Sequence, residues 1–398
     1  MKNLLIVLNL LLSSSAFSQD TLRVMYYNLL NFPSTLSNRY EDQRVFLQYA
    51  KPDVFAVCEL DNEVGADLIL DSALNVYGNS HYQRANFVNG VATDNCLFYN
   101  SDILGLVSQT QIGTVLRDIS VYRLYYKAPN LSAQTDTIYF WFFTCHLKAG
   151  SGDYQQRNQE IQQAKFYLND IADEVENVFI GGDFNFYSGF ESGCQTVLNA
   201  GLVPMIDPAN AIGNWSGDWS YAEWHTQSTR NSGVGGGAGG GLDDRFDLIF
   251  VSEDVMNNQN GVTYISNSYT PLGQDGNHFN TSIIDGPNAV VPDSVANALY
   301  SASDHLPVMM DVVLDETASL PIEKVNYIQA HYQQTERTIQ FTTSLENFDL
   351  VLFDLMGKEI LKTTVTNKSV SIPTHLYGIY IWSIRCSKGH SSSKIAIY

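Results

Sequence analysis

Short apolar runs bounded by polar residues recur along most of the chain, and many are rich in aromatic and β-branched side chains. Such runs are typical of buried strands. They are LRVMYYNLLNF (22–32), KPDVFAVCEL (51–60), NCLFYN, ISVYRLYYKA, TIYFWFFTCHL, VFIGG, RFDLIFVS and HLPVMMDVVL. Because strands outnumber helices, the pattern favours two sheets packed together and flanked by helices over a doubly wound parallel sheet.

Two segments have the spacing of amphipathic helices. One is YEDQRVFLQYA (40–50), and the other is the longer stretch 154–176. The longer segment is predicted to place one apolar stripe against a core. That stripe consists of Ile161, Ala164, Phe166, Leu168, Ile171 and Val175.

The two ends of the chain differ from its body. Residues 1–19 carry one Lys, an apolar run from Leu4 to Leu12 and small polar residues, which predicts a signal peptide cleaved after Ser18 or Gln19. That run is too short to span a bilayer comfortably, and no other segment approaches the length of a membrane span. We therefore expect an exported protein without a stable membrane span, and a monomer.

A boundary near residues 315–325 separates a small C-terminal module from the body. From residue 319 onward the chain has 8 Lys/Arg and 6 Asp/Glu, whereas the preceding part, without Lys2, has 13 basic and 36 acidic residues. The module alternates apolar and polar positions, which predicts an all-β unit. The domains are thus expected at 1–19, 20–316 and 320–398.

Composition and charge narrow the possible partners. An apolar content of 44% is ample for a large core, and the net charge is −20. Residues 20–316 carry a large excess of acidic side chains. They therefore lack the nonspecific electrostatic attraction to phosphates that drives nucleic-acid binding. A polyanionic substrate would therefore have to be handled through divalent cations.

The five cysteines do not form a disulfide framework or a zinc motif. Cys58, Cys96 and Cys145 lie inside strand-like runs, where buried thiols are expected. Cys194 and Cys386 have no evident role. The glycine-rich stretch 233–244 lacks the Lys-Ser/Thr ending of a P-loop, so we expect a flexible loop there.

The stretch FIGGDFNFY (179–187) allows two interpretations. Its glycines are expected to bend the chain after a buried strand, and Asp and Asn are common in such turns. A strand that ends in Asp183 and Asn185 is also suited to deliver oxygen ligands to a metal and phosphate site.

Further polar residues terminate or precede apolar strands in the same way. Each is common at a strand end when taken alone, but together they would supply hard oxygen ligands for Mg²⁺ or Mn²⁺ and two imidazoles for proton transfer. The full set is Asn28, Glu59, His146, Asp183, Asn185, Asp247, Asp304 and His305.

The motifs YNLLNF, PDVFAVCELDNE, TCHLKAG, GGDFN, RFDLIFVS and SDHLPV, in this order, resemble those of the endonuclease/exonuclease/phosphatase superfamily. The resemblance runs from about Leu22 to Leu314. It implies a four-layer α/β/β/α sandwich like that of deoxyribonuclease I. It also implies metal-dependent cleavage of phosphate esters, with Mg²⁺, or Mn²⁺, and Ca²⁺ as a further option.

The resemblance also implies a metal site and a water-activating group. Glu59 would be the principal metal ligand with Asn28 beside it, and Asp304 a second ligand or a support. Asp183 would orient or deprotonate the attacking water, and Asn185 would hold a phosphate oxygen.

For the remaining residues the resemblance implies contacts with phosphate. His305, held by Asp247, would contact the phosphate and share in proton transfer. His146 would protonate the leaving group or bind phosphate, and Arg117 would bind phosphate or lie on the surface as an ordinary Arg. Weaker candidates are Glu63 and Asp94.

The C-terminal module resembles the type A sorting domain of the type IX secretion system. The matching features are Asp354-x-x-Gly357-Lys358, Gly378-x-Tyr380 and a closing strand at Lys394-Ile395. The resemblance implies a β-sandwich read by the type IX machinery, and hence a secreted or cell-surface protein. The alternative is a carbohydrate-binding or Ig-like module, for which an exposed Trp382 would be the hint.

The expected function is that of a secreted endonuclease or exonuclease. The alternatives are a phosphatase or sphingomyelinase-like phospholipase, and a non-catalytic binding protein. The aromatic stretch NWSGDWSYAEWH (214–225) would meet lipid, stack on bases or form a packed loop. Sparse basic residues for a DNA groove weaken the nuclease hypothesis.

Overall fold

The computed structural model describes residues 20–128, 137–315, 329–343, 347–355, 357–386 and 389–398. The predicted signal peptide and the predicted boundary between the two folded parts lie outside these ranges. Within them, no helix is both long enough and apolar enough to cross a membrane.

The first sheet contains seven strands. Along the chain they are β1 (Asp20–Phe32), β2 (Val54–Leu60), β3 (Tyr82–Arg84), β4 (Asp94–Asn100), β11 (Val262–Tyr264), β12 (Thr270–Pro271) and β13 (Val308–Leu314). Their order is β11-β13-β1-β2-β4-β3, and β12 pairs with β13. The central strand β1 is parallel to β2 and antiparallel to β13.

The second sheet contains six strands. They are β5 (Leu104–Ile112), β6 (Ile119–Tyr126), β7 (Tyr139–His146), β8 (Val178–Asp183), β9 (Met205–Ile206) and β10 (Asp247–Ser252). They follow the order β5-β6-β7-β8-β10-β9. Strands β7 and β8 are parallel, whereas β10 is antiparallel to β8.

The described part of the chain has six α-helices around these sheets. They are α1 (Arg39–Ala50), α2 (Glu63–Ile69), α3 (Tyr154–Asp170), α4 (Ser192–Asn199), α5 (Glu253–Asn257) and α6 (Asp293–Ala302). Helix α3 ends before the predicted residue 176, although Ile171 and Val175 still pack on the core from the turn that follows. The predicted stripe was wrong at Phe166, because the helical period buries Lys165 instead.

The described part of the body has four layers. Apolar side chains from both sheets, among them Tyr26 and Phe142, fill the space between them. The outer face of the first sheet packs on α1, α2 and α6, and that of the second on α3 and α4. The predicted α/β/β/α sandwich is therefore confirmed. Cys58, Cys96, Cys145 and Cys194 are buried free thiols.

The C-terminal module consists of strands alone in its described parts. They are β14 (Gln329–Gln333), β15 (Thr338–Thr342), β16 (Phe348–Phe353), β17 (Glu359–Val365), β18 (Ser369–Ser371), β19 (Gly378–Cys386) and β20 (Gly389–Ile397). They form sheets β14-β15-β18 and β17-β16-β19-β20 around one apolar core. Trp382 lies in this core against Phe341, so it offers no exposed ring to a sugar.

Candidate active site

The strand ends bring the predicted polar residues to one edge of the sandwich. The parallel strands β1 and β2 end near Asn28 and Glu59, and the parallel strands β7 and β8 end in register at His146 and Asp183. Asp247 begins the antiparallel strand β10 and pairs with Asp183. Because parallel strands end at the same edge of a sheet, two sheets together deliver this set.

Asn28 connects the two carboxylates across the gap between the sheets. Its Nδ2 donates to Glu59 Oε1 and to Asp183 Oδ2, each at 3.0 Å. Its Oδ1 accepts from the Leu30 amide at 2.9 Å, which sets the orientation of the side-chain amide. The second Glu59 oxygen accepts from the Asn31 amide at 3.0 Å. The Asn28 oxygen, the atom that would bind a metal, faces the Leu30 amide instead of the two carboxylates. The ligand role of Asn28 therefore stays a prediction.

Glu59, His146 and Asp183 form what we call the metal-donor group. One donor atom of each lies within 4.8 Å of the others. His146 Nε2 is 3.5 Å from Glu59 Oε1 and 3.6 Å from Asp183 Oδ2. Burial, aided by Arg117 and His305, holds the pKa of His146 well below its usual range. Two carboxylates with a neutral imidazole fit Mn²⁺, and carboxylates also fit Mg²⁺.

His305 lies beside this group with a different charge state. Its Nδ1 is 2.7 Å from Asp247 Oδ2, and its Nε2 is 3.8 Å from Asp183 Oδ2. Burial alone would lower the pKa of His305, but Asp247, Asp304 and Asp183 together hold it well above the usual range. These three carboxylates favour the protonated imidazole, the form that suits an anionic ligand.

Asp183 is the carboxylate best placed to accept a proton. Burial, with smaller contributions from Asp247 and Glu59, raises the pKa of Asp183 to about 7. His305 opposes that shift because its positive charge favours the carboxylate. A general base works best with a pKa near the working pH, and the metal-free site gives Asp183 that property, whereas a bound cation would lower the pKa of this carboxyl.

The glycines of FIGGDFNFY do not bend the chain, so that expectation was wrong. Strand β8 continues through both of them to Asp183. At Gly181 a Cβ would lie 2.5 Å from the Tyr26 ring, so the sheets approach too closely for a side chain. The turn falls at Asn185, with φ 52°, whose amide donates to Asp183 Oδ1 at 3.0 Å.

Asp304 lies under the glycine-rich loop. Its Oδ2 accepts from the Ala238 amide at 2.6 Å and from Gln227 Nε2 at 3.2 Å. It lies outside the metal-donor group, so its predicted ligand role stays a prediction. Gln227 Nε2 also lies 2.6 Å from His305 Nε2. Gln227 was not among the predicted residues, because it belongs to no strand-end pattern.

The remaining candidates lie at different distances from the centre. Arg117 Nη1 is 3.5 Å from the Leu147 carbonyl, next to His146. Asp94 is buried and accepts from the Gly90 amide. Glu63 is exposed and paired with Arg84, so it does not face the metal-donor group.

The aromatic stretch 214–225 is a packed connection that contains a 3-10 helix, Trp219–Trp224, which agrees best with the packed loop among the three interpretations. Trp215 is fully buried and donates to the Phe186 carbonyl at 2.8 Å. Trp224 packs on Tyr269. Of the aromatic residues in this stretch, only Trp219 is largely exposed, at 70%. No row of exposed aromatics suited to lipid is present in it.

Comparisons with known proteins give structural similarity only. No family model matches the chain, and no curated protein matches it. It is similar to D. rerio TDP2 complexed with a single-strand DNA product, with 14% identity, 73% and 98% of the two chains covered, and a TM-score of 0.48. It is also similar to the human Nocturnin catalytic domain with bound sulfate. Their identity is 16%, the match covers 74% of this chain and 97% of the other, and the TM-score is 0.47.

A third similar structure is an endonuclease/exonuclease/phosphatase family protein from Bacteroides thetaiotaomicron. It has 15% identity, covers 75% of this chain and 100% of its own, and has a TM-score of 0.46. At such low identities, the chemistry of this chain has to be inferred from its own residues.

Proposed function

We propose that this chain is an exported, divalent-metal-dependent phosphodiester hydrolase, and that its substrate is nucleic acid. One observation carries the proposal. The metal-donor group lies within 4 Å of an imidazole whose protonated form is favoured by the surrounding carboxylates, since His305 Nε2 is 3.8 Å from Asp183 Oδ2. A cation site next to a positively charged donor suits an anionic phosphate ester.

Different residues of the site bind the cation, position its ligands and activate the water. A bound divalent cation supplies neutralisation of phosphate charge. Glu59, Asp183 and His146 would hold it, while Asn28 keeps the two carboxylates in place through its amide. Asp183 orients the attacking water and takes its proton.

On the other side of the site, donors meet the phosphate. With its Nδ1 held by Asp247, His305 would donate from Nε2 to a phosphate oxygen that takes the place of the Gln227 Nε2 now 2.6 Å away. Asn185 and Arg117 supply further donors. Burial favours the neutral form of His146, and its Nε2 faces two carboxylates, so we assign it to the cation rather than to the leaving group.

We also propose that residues 1–19 and 320–398 direct export through the type IX machinery to the medium or the cell surface. The described tail residues form a separate apolar core, which supports an independent module. Secretion assays with the full chain and with a chain ending at residue 316 test this. Equal amounts in the medium would contradict the sorting role.

The test of the main proposal is hydrolysis by the purified mature chain. Plasmid DNA, bis-p-nitrophenyl phosphate and sphingomyelin vesicles are offered with Mg²⁺ or Mn²⁺ and with a chelator. Cleavage of DNA that the chelator abolishes is expected. Preference for sphingomyelin would support the phospholipase alternative, and no hydrolysis of any substrate would support a binding protein. Chelator-resistant cleavage would contradict the role of the cation.

A further inference from the structure

The carboxyl end of α6 is bound by two buried arginines from distant parts of the chain. Arg230 Nε and Nη2 donate to the carbonyls of Tyr300 and Ser301 at 2.7 and 3.0 Å. Arg39 Nη1 donates to the Ala302 carbonyl at 2.7 Å. The last carbonyls of a helix have no partner within it and carry partial negative charge. We call Arg39 and Arg230 the arginine clamp.

Arg39 also holds the segment that follows β1. It donates to the carbonyls of Leu29, Leu30 and Thr35 at 2.5, 2.7 and 2.9 Å. Leu30 and Asn31 have φ of 51° and 48°, in the left-handed region. This region is unfavourable for residues with a side chain like that of Leu, so the segment needs such external contacts.

The held segment supports the metal-donor group directly. Its Leu30 amide donates to Asn28 Oδ1, and its Asn31 amide donates to Glu59 Oε2. A change in the path of this segment would therefore move both the amide and the carboxylate that face Asp183.

The other contact of the clamp reaches the imidazole side of the site. Ala302, bound by Arg39, directly precedes Ser303, Asp304 and His305. The Ser303 hydroxyl donates to the Asn28 carbonyl at 2.8 Å. The Arg39 guanidinium thus contacts the backbone on both sides of the site. One contact is with the segment whose Asn31 amide binds Glu59, and the other is with Ala302, close to His305 in the chain.

The clamp is kept in an unfavourable environment. Arg39 and Arg230 are each 2% exposed, and neither has a carboxylate partner among the described residues. Burying an unpaired guanidinium is costly unless its N–H groups are bonded, and burial lowers the pKa of Arg39. Backbone carbonyls accept from both guanidinium groups, although Nη1 of Arg230 has no partner among the described residues.

We propose that Arg39 and Arg230 are positioning residues, which fix His305 and Asp304 relative to Glu59 and Asn28. The inference rests on the proposed function insofar as the site binds a cation. Outer-shell partners of metal ligands typically affect metal affinity by about 10- to 100-fold. We expect a loss in that range when the guanidinium fork is replaced.

The first measurement is Mn²⁺ binding by calorimetry to the full chain and to Arg39→Lys and Arg230→Lys. Lys keeps the charge but does not span several carbonyls. The matched control is Arg23→Lys, since Arg23 binds the Ala50 carbonyl and Asp311 at the opposite end of β1. About 10-fold weaker Mn²⁺ binding is expected in Arg39→Lys, with little change in the control.

The second measurement needs no metal. The Nδ1 proton of His305, bonded to Asp247, is followed by NMR in the metal-free proteins. A shifted or lost signal in both clamp variants, but not in Arg23→Lys, supports the positioning role. This result would hold even if the parent chain bound no Mn²⁺. In that case only the proposed function would fail. An unmoved signal with unchanged Mn²⁺ affinity in folded variants overturns the inference. Should Arg39→Lys unfold, Arg230→Lys alone provides the test, because the Arg230 side chain donates to the last carbonyls of α6 and leaves the bonds of Arg39 in place.

Discussion

The Asn28 side-chain amide, in the first sheet, donates to the Asp183 carboxylate, in the second, at 3.0 Å. Both groups are buried, where a hydrogen bond to a charged acceptor contributes about 1.5–3 kcal/mol. The contact therefore fixes the separation of the two strand ends on which the site is built.

Asn28→Ala is expected to lower kcat on bis-p-nitrophenyl phosphate by about 100-fold. This loss corresponds to an activation free energy that is higher by roughly 2.7 kcal/mol. Glu59 and Asp183 would then face each other without a donor between them. The control is Asn100→Ala, which removes a similar bond to Asp53 at the opposite end of the sheet. Equal kcat values for the two variants would refute the role of Asn28.

Mn²⁺ binding is expected to release a proton below neutral pH. The Asp183 carboxyl has a pKa of about 7 in the metal-free chain, so at pH 6 it is largely protonated and must lose that proton to bind a cation. Affinity should thus rise with pH up to about 7 and then level off. Calorimetry at pH 6 in buffers of different ionisation enthalpy counts the proton, and a count of zero would contradict this assignment.

Much of the site was predictable because its signal is local. Glu59, His146 and Asp183 each end an apolar run, and the pairing of parallel strands brings such ends together. Gln227 and Arg39 gave no comparable signal. Arg39 binds a carbonyl 263 residues away along the chain, and neither periodicity nor a motif marks that contact. Likewise, the two glycines of β8 resembled turn residues in the sequence, but contacts from distant segments require them. Gly181 faces the Tyr26 ring of the other sheet, and Gly182 has a positive φ and lies against the Cys145 carbonyl of β7.

Gly181→Ala is expected to destabilise the fold by about 1–3 kcal/mol, the usual range for overpacking a core. The added Cβ would lie 2.5 Å from the Tyr26 ring, so the sheets would separate below Asp183. Urea unfolding and kcat should both report the change. Gly152→Ala is the control, because a Cβ there has open space. Stability of Gly181→Ala equal to that of the control would show that the sheets accommodate the methyl group.

Lys165 is expected to make stability rise with pH. Burial lowers the pKa of Lys165 to about 7, whereas in the unfolded chain it is about 10.4. Between these values the unfolded state binds more protons, so the free energy of unfolding increases with pH, by at most about 1.4 kcal/mol per unit. Below pH 7 the full penalty of burying the charge remains.

The measurement is urea unfolding of the parent chain and of Lys165→Met from pH 7 to pH 9. Loss of the bonds from Lys165 Nζ to the Val197 and Val203 carbonyls shifts the stability of the variant at every pH. Other groups, such as the buried thiols, titrate in both proteins, so the difference between the two isolates Lys165. That difference should grow in favour of the parent as pH rises, and a flat difference would mean that Lys165 stays protonated in the folded state.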